Sequence, residues 1–167
     1  MKSKLNKKVM TDILTGLPNR RSLLDEVSMN EVNRREHRSD TALIFVVLDS
    51  FRIVNNNYDH RDKILVEVSK RLKEHLRTTD IVARWSSNEF LILLPQTNAS
   101  HAFAVAENLR REISKVAIKI NNFKYNITAT FGVSDYQDDT TFEETLINTG
   151  AAMIPQSNIE LNRVVLA

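Results

Sequence analysis

The chain has 167 residues, 42% hydrophobic and 26% charged, enough for one globular domain with a proper core. A net charge of only +2 argues against a nucleic-acid or other polyanion-binding surface, and no nucleic-acid partner is expected. The absence of cysteine excludes disulfides, thiolate zinc sites and cysteine nucleophiles.

In chain order, residues 1–11 are basic and read as a linker or the end of a signalling helix. Leu17-Pro18-Asn19 predicts a turn into a helix capped by Asn19 and running to about His37, with Leu23, Leu24, Val27 and Val32 as its apolar positions. The β-branched run Leu43–Leu48 predicts a buried central strand. Residues 51–60 are helix-like but polar, and Ile64, Leu65, Val68, Leu72 and Leu76 have helical spacing over Lys63–Leu76. Asp80–Trp85 and Phe90–Leu94 predict a hairpin around Ser86-Ser87-Asn88-Glu89. Ala102, Ala106, Leu109, Ile113 and Val116 mark one face of a long helix. Tyr125–Val133 reads as a strand, Phe142–Met153 as a helix ended by Pro155, and Arg163–Leu166 as a last strand. Hairpins mixed with helical crossovers indicate an α+β sheet domain, taken as one unit over 1–167.

His37, His60, His75 and His101 are scattered without metal-ligand spacing and are read as surface or satisfied core histidines. The glycines are only Gly16, Gly132 and Gly150, so no glycine-rich phosphate loop exists. No stretch is apolar and long enough to span a membrane. The expected location is the cytoplasm, or the cytosolic part of an inner-membrane protein, without insertion of this segment itself.

Several motifs stand in a telling order. Asp12-Ile13-Leu14-Thr15-Gly16-Leu17-Pro18-Asn19-Arg20-Arg21 resembles D-x-L-T-G-L-x-N-R-R, the opening of the GGDEF domain of bacterial diguanylate cyclases. Asp49–Asn55 is similar to the second half of that family's D-x-D-x-F-K-x-x-N motif. Ala83-Arg84-Trp85 followed by SSNEF stands where the family has its R-y-G-G-D-E-F signature. Thr130–Val133 resembles its S-x-G-V strand, and Asn162-Arg163-Val164 its closing N-R-V. The resemblance covers nearly the whole chain. It implies a palm-like fold, a mostly antiparallel sheet flanked by helices, with the signature on a β-hairpin.

Active members of the family join two GTP molecules into cyclic di-GMP, each of two facing domains binding one GTP with magnesium. That chemistry needs hard oxygen ligands and a backbone that closes on phosphates. Here Val47 stands at the first metal carboxylate, and valine offers no ligand oxygen. The signature is reduced to Ser86, Ser87, Asn88 and Glu89, with Glu89 the one carboxylate left. The family's later acidic residue and phosphate-binding lysine align with Gly150 and Ser157. Asn55 and Asp62 match guanine-reading positions. The loop at His60-Arg61-Asp62 is shorter than the family's G-H-x-x-G-D, and both residues are read as helix caps or punctuation. Neither a cofactor nor Mg²⁺ binding is expected.

Arg77-Thr78-Thr79-Asp80, five residues ahead of SSNEF, sits where the family carries its R-x-x-D inhibitory site for cyclic di-GMP. Arginine can fork onto a phosphate or a guanine edge, and aspartate can accept from the guanine Watson–Crick edge. The alternative is a surface ion pair worth little. The implied function is a degenerate, non-catalytic domain that binds cyclic di-GMP. The other readings are an interaction or dimerisation domain, with GTP sensing through Asn55 and Glu89, governing a fused EAL phosphodiesterase, and last a residual cyclase.

Overall fold

The computed structural model describes residues 10–49, 57–154 and 161–167. Its first helix, α1 (Arg20–His37), begins where the Asn19 side chain accepts from the Ser22 amide at 2.9 Å and ends at Arg38 in the left-handed region, φ 50°. Leu23 and Val27 are buried as expected, but Leu24 and Val32 are exposed. The position that pattern reading left out is Arg34, which is buried. Its guanidinium donates to the Tyr136 carbonyl and to Asp138 Oδ1 (2.7 Å) and lies 4.5 Å from the Tyr136 ring centroid.

Strand β1 (Thr41–Leu48) follows and is the middle of a five-stranded sheet. Helix α2 (Tyr58–Glu74) buries Ile64, Leu65, Val68 and Leu72, while Leu76 packs against the core from just beyond its end. Strands β2 (Ile81–Ser86) and β3 (Glu89–Pro95) form the predicted hairpin. Helix α3 (Ala99–Ser114) is capped by Asn98 and buries Ala102, Ala106, Leu109 and Ile113; Val116 lies past its end, exposed.

Next comes a small ribbon the sequence reading missed, β4 (Ile118–Ile120) paired with β5 (Phe123–Tyr125). Tyr125 therefore belongs to this ribbon, and the strand expected from it begins later, as β6 (Ala129–Asp135). Lys119 and Lys124, both exposed, face each other across the ribbon. Helix α4 (Phe142–Met153) opens with a capping box between Thr141 and Glu144, and β7 (Val164–Leu166) closes the chain.

The sheet order is β2-β3-β1-β6-β7, antiparallel throughout except for the parallel β6–β7 pair. Alternation along β1 divides the interior. Ala42, Ile44, Val46 and Leu48 face α2 and α3; Leu43 and Phe45, with half-buried Val47, face α1 and α4. This is the expected α+β architecture, a mostly antiparallel sheet with helices on both faces. Among the described residues, no helix is long and apolar enough to cross a membrane.

His60 shows how the ribbon is held. It is buried, its Nδ1 is 2.7 Å from the Tyr125 hydroxyl, and its ring meets Phe123 and Tyr125 edge-on at 5.2 and 5.7 Å. It is a satisfied core histidine, as the sequence suggested.

Candidate functional site

The β2–β3 turn is built from a few named contacts. Ser86 closes β2, Glu89 opens β3, and Ser87-Asn88 makes the turn, with a ladder irregularity between Arg84 and Ser86. Neither turn residue has positive φ; among the described residues only Gly16, Arg38, Gln96, Asn121 and Asn162 do. The backbone therefore makes no demand that serine and asparagine fail to meet.

Arg84 clamps this turn from below. Its Nε donates to the Ser86 carbonyl (3.3 Å), Nη2 to that of Ser87 (3.2 Å), and Nη1 reaches both carboxylate oxygens of Asp12 at 3.4 Å. Asp12 also accepts from the Thr15 amide (2.9 Å) and hydroxyl (2.6 Å). Burial pushes the Asp12 carboxyl up, but the Thr15 hydrogen bonds and the Arg84 charge outweigh it and hold the group below the usual aspartate range. Arg20 Nη2 donates to the Trp85 carbonyl (2.8 Å), and its guanidinium sits 4.0 Å from the indole centroid. The Asn88 carbonyl accepts from the Leu48 amide at 3.0 Å.

Val47 lies directly across the ladder from Glu89 on one side and Thr130 on the other. Side chains at such positions have Cβ atoms about 5 Å apart. A carboxylate at position 47 would therefore stand beside Glu89; in its place is an isopropyl group. The Glu89 carboxylate accepts from the Ser86 hydroxyl. Gly150 lies in α4, with Phe45 the nearest neighbour to the place a Cβ would occupy, at 3.8 Å. Asn55, Pro155 and Ser157 lie outside the described residues. Asp62 is exposed on α2. It does not cap that helix: Asn57 does, accepting from the His60 amide at 3.2 Å. Among the described residues, no three His, Cys, Asp or Glu side chains gather where a metal could be held.

Arg77 and Asp80 come together as the ion pair that the alternative reading of this stretch describes. Arg77 Nη2 is 2.7 Å from Asp80 Oδ1, its Nε donates at 3.1 Å to both carboxylate oxygens, and the Arg77 amide donates to Oδ2 at 2.9 Å. Arg77 Nη2 also reaches the Pro95 carbonyl (3.1 Å) and the Thr97 hydroxyl (2.8 Å), tying the start of β2 to the end of β3. The Asp80 hydrogen bond holds the Arg77 guanidinium above its usual range. The Asp80 side chain is 2% exposed and that of Arg77 55%, so the arginine is the half a ligand would meet. Clefts of about 270 and 330 Å³ flank the pair, one against Leu17 and Pro18, the other against Met29 and Asn30.

The profile of a family described as "Diguanylate cyclase, GGDEF domain" matches residues 9–159. The chain belongs to the GGDEF domain family. A curated relative, diguanylate cyclase A of Treponema denticola, is 30% identical over 171 residues, covering 99% of this chain and 46% of the relative. The bifunctional diguanylate cyclase/cyclic di-GMP phosphodiesterase MucR of Pseudomonas aeruginosa is 35% identical over 147 residues, covering 85% of this chain and 21% of MucR. The crystal structure of diguanylate cyclase SiaD in complex with its activator SiaC, from the same organism, superposes with a TM-score of 0.89 at 30% identity, over 99% of this chain and 65% of that one. This GGDEF domain thus spans less than half the length of the two curated relatives.

Two functional-end residues of this GGDEF domain were not singled out from sequence as contacts. Arg84 and Asp12 stand in separate motifs, and nothing in their spacing along the chain shows that they meet. Asp49, which opens the stretch similar to the second half of the D-x-D-x-F-K-x-x-N motif, has its carboxylate buried among hydrogen-bond donors.

Proposed function

We propose that this GGDEF domain is non-catalytic and serves as a regulatory module that binds cyclic di-GMP through Arg77, held in place by Asp80. The observation that carries the first half is Val47 opposite Glu89. Mg²⁺ takes near-octahedral oxygen ligands at about 2.0–2.1 Å. Val47 supplies none, Asn88 is neutral, and Glu89 is already bonded to Ser86. The side chains present do not fit a magnesium-bound nucleotide, and no catalytic step is derived through one. The second half rests on the half-exposed Arg77 guanidinium, oriented by a buried carboxylate and bordered by clefts.

Incubation with GTP and Mg²⁺ or Mn²⁺ is expected to yield no cyclic di-GMP, and turnover would overturn the catalytic part. Calorimetric titration with cyclic di-GMP is expected to show saturable binding that Arg77→Ala abolishes and Thr97→Val retains. Thr97→Val loosens the same clasp while leaving the guanidinium, so equal loss in both variants would count against a ligand contact by Arg77. Absence of binding in the unaltered domain would end the proposal.

A second reading is favoured by MucR, whose name includes a phosphodiesterase and of which this chain covers 21%. In it the domain is a dimerisation or interaction module, with or without GTP sensing, controlling a fused EAL domain in the cytosol. Deleting residues 1–167 from the full-length protein tests it; unchanged phosphodiesterase activity would argue against control.

A further inference from the structure

We propose that Asp49 is the latch that seats the C-terminal strand β7, and that β7 opens as a unit whose equilibrium this one carboxylate sets. Asp49 is buried at the end of β1. Oδ1 accepts from the Thr130 hydroxyl at 2.7 Å. Oδ2 accepts from the Thr128 hydroxyl at 2.7 Å and from the Asn162 amide at 2.9 Å. The Asp49 amide in turn donates to the Thr128 carbonyl at 2.9 Å. Both oxygens thus hold donors of the fold, filling three of the carboxylate's roughly four acceptor sites.

Why β7 should need such a latch follows from its own construction. It has three residues, lies at the sheet edge, and pairs in parallel with β6 alone. Strands this short are marginal without further anchoring. Val164 packs against the core from a half-buried position, Val165 is half-buried and Leu166 is exposed, so apolar burial anchors the strand only in part. The chain also enters β7 through Asn162 at φ 53°, a left-handed conformation that asparagine adopts more readily than most side chains and that its neighbours here fix. The Asp49 carboxylate fixes it from one side, and Arg110 Nη1 reaches the Asn162 side-chain oxygen from α3 at 3.3 Å. Immediately beyond, the Phe131 amide donates to the Arg163 carbonyl and the Ala167 amide to that of Val133, each at 2.8 Å. Losing the acceptor for Asn162 releases the strand at its root and lets these bonds open together.

The test is amide hydrogen exchange on the folded domain, comparing Asp49→Asn with the unaltered protein. Exchange at Phe131 and Ala167 is expected to speed about tenfold or more, while amides of the β1–β3 ladder keep their rates. Acceleration spread evenly over the sheet, or none at Phe131 and Ala167, would overturn the proposal. Two further variants keep it decidable if Asp49→Asn does not fold. Thr128→Val removes one of the latch's bonds and is expected to speed the same amides selectively but less. Asn162→Gly keeps the backbone donor and accepts positive φ freely, so exchange there is expected to stay within about twofold of the unaltered protein. Fast exchange in Asn162→Gly with none in Thr128→Val would place the latch on the Arg110 contact instead and refute the role of Asp49.

Discussion

Asp12 carries a pH dependence whose sign is fixed by its surroundings. Its folded pKa is depressed by Thr15 and Arg84 against the opposing effect of burial. A carboxylate of this kind contributes stability above its unfolded value of about 3.9 and loses it as pH falls through the folded value. Asp12→Asn is therefore expected to cost about 1 kcal/mol at pH 7. That gap should narrow as the pH drops below about 4, measured by urea titrations at each pH. A gap that stays constant down to strongly acid conditions would mean that the ionised form is not what Arg84 and Thr15 stabilise. The same residue shows what a motif can and cannot disclose. Asp12 and Arg84 stand 72 positions apart, and the contact between them exists only once β2 is laid beside the loop that precedes α1. Val47 is the opposite case. Its chemistry, an alkyl group with no ligand oxygen, is readable from sequence alone. Only the ladder showed which residue it faces.

Among the elements, α4 and β6 meet closely at Gly132. A Cβ built on Gly132 would come within 2.5 Å of Met153 Sδ and 2.8 Å of Thr149 Cγ2. Gly132→Ala is expected to push α4 outward and destabilise by about 1–3 kcal/mol, read from the denaturation midpoint. A change below experimental error would show that Met153 yields by rotating. Elements with long, periodic patterns were legible: β1, the hairpin, and the buried faces of α2 and α3. The β4–β5 ribbon was not, because strands of three residues are too short to show alternation. Only Tyr125, the last residue of its second strand, falls in the run Tyr125–Val133 that reads as a strand from sequence. The α1 face was misjudged for another reason. Arg34 is buried by pairing with Asp138 and stacking on Tyr136, an arrangement hydropathy reads as surface, so Leu24 and Val32 were assigned inward instead.

For the molecule as a whole, the sheet carries apolar layers on both faces, and β1 contributes to each. A perturbation of one layer should therefore reach the other. Global unfolding is expected as one cooperative transition, with Trp85 fluorescence and far-UV circular dichroism giving the same midpoint. Distinct midpoints would show the two layers melting apart. The signature turn and the Arg77–Asp80 clasp hang on the same β2–β3 hairpin, at its turn and near its open end. The side chains of the turn can therefore vary without disturbing that scaffold.

The ribbon of β4 and β5 has a further consequence. Lys119 and Lys124 are cross-strand neighbours of like charge, both in water, and neither has an ion-pair partner among the described residues. Their repulsion weakens the ribbon, and mobile ions shorten its reach. Most surface electrostatics in proteins fade to a loss when salt is added; here the screening is a gain. The small ribbon over His60 should become firmer in brine than in dilute buffer, a local polarity opposite to that of the ion pairs on the neighbouring helices.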